Sequence, residues 1–160
     1  MHIIIIKGSW TAVYQNMRCH SRKKLSPSKE NYLKAIYMLS ETAQVVRSID
    51  LAAYLGVSKP SVNNAVTKLQ EDGLVIKPLR GEIHLTDEGY NQGKIIISKF
   101  QLIKQFLITC CNVNERIASE DACKMEHLIS DETTFALKNI LMHKGSCVFN
   151  VKKKEPQNPI

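Results

Sequence analysis

Three side chains in the stretch DACKMEHLIS, namely Cys123, Glu126 and His127, offer sulfur, oxygen and nitrogen at spacings i, i+3 and i+4. On a helix these positions share one face, so a thiolate, a carboxylate and an imidazole can converge on one ion. The mixed set suits borderline divalent metals. Sulfur moves the preference toward iron, cobalt or zinc and away from magnesium or calcium, and a bound metal holds the thiol as thiolate. Two other chemistries use the same residues. Cys123 and His127 can form a nucleophile and its base, yet the sequence supplies no oxyanion hole, glycine-rich turn or third orienting group beside them. The remaining reading is a half-buried cysteine with a glutamate and a histidine along the polar seam of an ordinary helix. Residue types alone favour the seam over the metal site and disfavour the enzyme.

The elements that must position these groups are read from caps and periodicity. Ser26 is the expected N-cap of a first helix, with Pro27 at its first position and an apolar stripe of Tyr32, Leu33, Ile36, Tyr37 and Leu39. Ser48 is read as the cap of a short helix with Leu51, Ala52 and Leu55 inward, ended by Gly56. Ser58 caps the next helix, Pro60 sits in its first turn, and Val62, Val66 and Leu69 form its inner face up to Gly73. Two helices joined by a few residues, the first ending in glycine, form a helix-turn-helix pattern. The period then falls to two: LVIKP and EIHLT flank LRG as a hairpin, the expected wing. Thr86, followed by Asp87 and Glu88, opens a long helix with apolar positions through Leu107. Ser119 is read as the cap of the helix bearing DACKMEHLIS, and Ser130 as the cap of a last helix ending near His143.

The outer face of the 58–72 helix points to a partner. Ser58, Lys59, Ser61, Asn63, Asn64 and Lys68 can bond base edges and phosphates in a major groove, asparagine being suited to adenine. Arg80 sits at the wing tip, where phosphate or minor-groove contacts are made. The same set also occurs on solvated helix faces. The helix-turn-helix and wing together favour double-stranded DNA.

Composition bounds the rest. The chain has 160 residues, 44% hydrophobic and only 6% aromatic, so the expected core is aliphatic. Its net charge of +7 lies at the ends: residues 1–25 hold five basic and no acidic residues, and 150–160 hold three lysines against Glu155. Such tail charge is weak evidence for nucleic acid. No apolar run reaches the roughly 18 residues of a membrane span. MHIIII is too short for a signal peptide and is followed at once by lysine, which makes the cytoplasm the expected location. Met17 is an expected alternative start. The five cysteines are odd in number and lack C-x-x-C spacing, so a disulfide framework is not expected. His84 is read as a surface strand residue, and His143 and Cys147 as part of a frayed end.

The segments ENYLKAIYML, VRSIDLAAYLGVSKPSVNNAVTKLQEDGL, IHLTDEGY and DACKMEHLISDET occur in the order of the DtxR/MntR family of metal-dependent transcriptional regulators, which residues 26–142 resemble. The resemblance implies a mainly α chain: a winged helix-turn-helix over 26–86, and a helical metal-binding and dimerisation domain over 87–145. A basic extension over 1–25 and a flexible tail over 146–160 flank them. It implies a homodimer that binds manganese or iron, with zinc possible, and then a palindromic operator, usually as a repressor. The chain is similar to short members without a C-terminal barrel.

Position by position, the resemblance carries the metal ligands Cys123, Glu126 and His127, with Asn31 where other members place methionine or aspartate. Phe100, Lys104 and Ser119 stand where a second site has histidine, a carboxylate and histidine. The expected mechanism is a metal that ties residue 31 to the C-terminal ligands. That sets two recognition helices about 34 Å apart and favours the DNA-competent state. A metal-independent winged-helix regulator with a degenerate sensor is the second reading. A dimeric scaffold whose helix-turn-helix contacts protein is the third.

Overall fold

The computed structural model describes residues 25–43, 45–78 and 81–142. Arg80, His143, Cys147, the basic extension up to Lys24 and the tail lie outside the described residues. The chain divides into two compact units, through Lys99 and from Phe100.

In the first unit, helix α1 runs Pro27–Ser40, and Ser26 accepts from the Lys29 N–H as its cap. Strand β1, Val46–Arg47, leads into α2, Ser48–Leu55. The expected cap at Ser48 is corrected here: Ser48 is the first helical residue, and Asp50 accepts from the Arg47 N–H at 3.1 Å instead. Gly56 closes α2 with φ +66°, a left-handed backbone that a side chain would strain. Helix α3, Lys59–Glu71, follows, capped by Ser58 through the Ser61 N–H at 3.3 Å.

Strands β2, Val75–Ile76, and β3, Glu82–Leu85, pair antiparallel with Val75 opposite Leu85. Strand β1 joins the other edge of β3, with Val46 opposite Ile83, to give the order β1-β3-β2. This third strand is a finding of the structure: two residues are too few to show a period.

Helix α4, Asp87–Cys111, opens at Thr86. The Thr86 hydroxyl accepts from the Gly89 N–H at 3.0 Å and donates to the Gly73 carbonyl at 2.8 Å. One threonine thus caps α4 and fastens Gly73, two residues past α3. A Cβ at Gly89 would lie 1.9 Å from the Leu74 carbonyl oxygen, so only glycine lets α4 start this close to the wing. The core of this unit is aliphatic: Leu33, Ile36, Leu51, Val62, Val66, Leu69, Leu74, Val75 and Ile83 are all buried. At its margin Tyr37 stacks near Tyr90, ring centroids 5.0 Å apart. Burial pushes the Tyr37 phenol above its ordinary value, Tyr90 and Glu41 adding to it, so it stays neutral.

In the second unit, α4 continues to Cys111 with Leu102 and Ile103 buried. Helix α5, Glu115–Met125, buries Ala118 and Ala122, and helix α6, Asp131–Met142, buries Thr134 and Lys138. The expected cap at Ser119 is also corrected. The cap is Asn114, which accepts from the Arg116 N–H at 3.0 Å, and Ser119 lies inside the helix. Ser130 caps α6 through the Thr133 N–H at 3.1 Å. Its hydroxyl and a helix-terminal N–H hold the Glu132 carboxyl below its ordinary value, the backbone contributing most. Among the described residues, no helix is long and apolar enough to cross a membrane.

Candidate DNA-binding face and metal site

The two faces of α3 separate by side-chain type. Val62, Val66 and Leu69 are buried, whereas Ser58, Lys59, Ser61, Asn64 and Lys68 are exposed. Ser61, Asn64 and Lys68 are spaced i, i+3 and i+7, so they line one exposed ridge. Asn63 differs from the other five. It is half-buried, and its amide oxygen accepts from the Ser48 hydroxyl at 3.0 Å and the Lys77 ammonium at 3.1 Å. Lys77, directly after β2, was missed in the sequence. A basic residue at the root of a wing is the signal that could have found it.

The metal candidates occupy two different units. Asn31 is half-buried on α1, in the first unit. The other three belong to the second. Helix α5 ends at Met125; Cys123 lies within it, Glu126 is its C-cap and His127 lies in the turn that follows. Glu126 keeps helical backbone angles and donates its N–H to the Ala122 carbonyl, which carries the chain one residue past the helix. Beyond it, the Leu128 and Ile129 N–H groups both return to the Met125 carbonyl.

This turn draws two donors together. Glu126 Oε1 stands 3.3 Å from His127 Nε2, with the side chains 0% and 6% exposed. Cys123 is half-buried one turn earlier. Among the described residues, no three histidine, cysteine, aspartate or glutamate side chains form a group that could hold a metal. The carboxylate and the imidazole are oxygen and nitrogen donors of the kind that borderline divalent metals take. The pair fits a metal as two of its ligands. Phe100, Lys104 and Ser119 supply no comparable second set: Lys104 pairs with Glu115 at 3.0 Å.

A helix-turn-helix followed by a short sheet, and then a helical unit with a buried carboxylate–imidazole pair, define a winged-helix regulator with a second, ligand-capable domain. Sequence comparison places it further. Residues 24–81 match the iron dependent repressor N-terminal DNA binding domain, and residues 86–152 match the iron dependent repressor metal binding and dimerisation domain. The chain belongs to this family of metal-dependent transcriptional regulators, which are DNA-binding proteins and not enzymes.

An uncharacterised HTH-type transcriptional regulator of Methanocaldococcus jannaschii is 38% identical over 75% of this chain and 96% of its own length. The transcriptional regulator MntR of Escherichia coli is 33% identical over 73% of this chain and 75% of its own. The solved manganese regulator SloR superposes with a TM-score of 0.66 at 33% identity over 74% of this chain. The chain spans only 55% of SloR.

Proposed function

We propose that the protein is a homodimeric transcriptional repressor that binds a palindromic DNA operator under the control of a divalent metal, manganese or iron, with zinc a further candidate. The observation that carries this is the polar ridge of α3 opposite a buried aliphatic face. In this reading Ser61 and Asn64 reach base edges, and Ser58, Lys59 and Lys68 hold phosphates. Arg80, which the sequence pattern assigns to the wing, would be a further phosphate contact. The protein works where the chromosome is, in the cytoplasm.

Glu126 and His127 would hold the metal, Cys123 adding a thiolate, so that oxygen, nitrogen and sulfur donors would meet one ion. The residues' own part is to prefer one conformation. Glu126 and His127 sit in the turn between α5 and α6, so whatever they bind biases the setting of that turn. A second copy of the chain would cover the apolar side chains that the second unit exposes: Ile117, Leu128, Phe135 and Met142.

Calorimetric titration with manganese, ferrous iron and zinc tests the metal. Glu126→Gln, His127→Ala and Cys123→Ala should each weaken binding at least tenfold, as loss of even an outer partner does. Asn31→Ala in the same titration asks whether its amide oxygen is a fourth donor. A gel shift on the DNA upstream of the protein's own gene should then need metal for the wild type. The alternative is a regulator without metal control. It is favoured by the lack of a three-donor group among the described residues and predicts an operator shift that chelator leaves unchanged.

A further inference from the structure

Asn63 stands on the recognition helix but faces inward. Its amide oxygen accepts from Ser48, the first residue of α2, and from Lys77, the residue after β2. The amide orientation follows from chemistry: an ammonium only donates, so the oxygen must be the atom facing Lys77. Ser48 is itself buried at 6% exposure, so the anchor on that side is part of the core. One carbonyl oxygen therefore joins three elements: the start of the helix-turn-helix, the recognition helix and the root of the wing. The partners are 15 and 14 residues away in sequence, so the link is tertiary.

The link also places a charge. Lys77 is half-buried, and Asn63 occupies only one of the three donors of its ammonium. Exposed lysines lose side-chain entropy when they meet a phosphate; one already held by the protein loses less. The junction of recognition helix and wing is where a winged helix straddles the duplex backbone.

We infer that Asn63 is a positioning residue that holds the Lys77 ammonium as a DNA-phosphate contact, and that Asn63 itself reads no base. The inference rests on the DNA-binding reading above. Its specificity partner is the neighbour Asn64, which is exposed on the ridge.

The test uses the full chain with manganese chloride. A preferred duplex is selected from a randomised double-stranded library. Affinity is then measured for that duplex, for variants with each base pair changed, and across salt. Lys77→Gln keeps a donor on the Asn63 side, one bond shorter, and removes the charge. It should reduce the slope of log affinity against log salt by about one. Asn63→Ala should weaken binding roughly tenfold, on the scale of one hydrogen bond to a charged group, and reduce the slope equally. It should leave the ranking of base-pair variants unchanged. The double variant should be no weaker than Asn63→Ala alone, since both changes act through one contact.

A changed ranking at one base pair after Asn63→Ala overturns the inference, as does a wild-type slope for Lys77→Gln. If Asn63→Ala does not fold, Lys77→Gln decides by its slope alone. Failure of the wild type to select any sequence defeats the DNA-binding reading instead, and is distinguished by occurring before any variant is compared.

Discussion

The two units of the chain differ in what they bury beside their apolar residues. In the unit through Lys99, the core is mostly leucine, isoleucine and valine from α1, α2, α3 and the sheet, with Ser48 buried at its edge, and the polar ridge of α3 lies outside. In the unit from Phe100, Leu102, Ile103, Ala118 and Ala122 are buried together with Glu126, Thr134 and Lys138, while Leu128 is 80% and Met142 67% exposed. A domain stabilised by apolar burial alone would not choose the second pattern, because buried charge costs free energy and exposed leucine gains none. The first unit carries a continuous aliphatic core beneath the polar ridge of α3. The second buries a carboxylate beside an imidazole and exposes large apolar side chains, the two features on which the proposed metal and second chain rest.

The largest expected effect tests the core of the first unit. Leu69 is fully buried on the inner face of the recognition helix. Leu69→Ala should cost about 2–5 kcal/mol of stability, the range for cavity-forming substitutions. Chemical denaturation checks this. A cost below about 1 kcal/mol would show that α3 is held by something other than its core.

A smaller effect is expected in the second unit, and it should depend on protein concentration. Leu128→Asp puts a charge on the most exposed of the large apolar residues. In a monomer this is close to neutral. If a second copy covers Leu128, the loss is that of a buried leucine, about 1.5–3 kcal/mol, or roughly a tenfold to hundredfold weaker dimer. Sedimentation equilibrium reads the change directly. An unaltered monomer–dimer constant would move the interface away from the turn after α5.

Much of the first unit was legible because its caps are local. Ser26, Ser58 and Thr86 each precede a helix and accept from an N–H three residues on, and Gly56 marks a left-handed stop. Other features depend on distant partners. Strand β1 exists because β3 pairs with it, and its two residues carry no period of their own. Asn63 reads from the sequence as one more polar residue of the outer face of α3, and its bonds with Ser48 and Lys77 come from residues 15 and 14 positions away. At the metal site the residue types were legible, but the end of α5 was not. No glycine or proline stands at Glu126 to mark it, and the backbone there stays helical for one further residue.

The smallest effect concerns where α5 begins, since that decides which face of it is buried. Sequence reading started the helix at Ser119; the structure starts it at Asn114, whose side chain accepts from the Arg116 N–H. The two placements predict opposite ranks for two alanine substitutions. With Asn114 as the cap, Asn114→Ala should cost about 1 kcal/mol. Ser119→Ala, inside a helix, should cost little or add a few tenths, because alanine is the better helix former. Thermal denaturation of both variants at one protein concentration gives the order. The reverse order would start α5 one turn later and remove Glu115 and Ala118 from it. It would also deprive the second unit of one of its few buried apolar residues, leaving the carboxylate–imidazole turn with even less to support it.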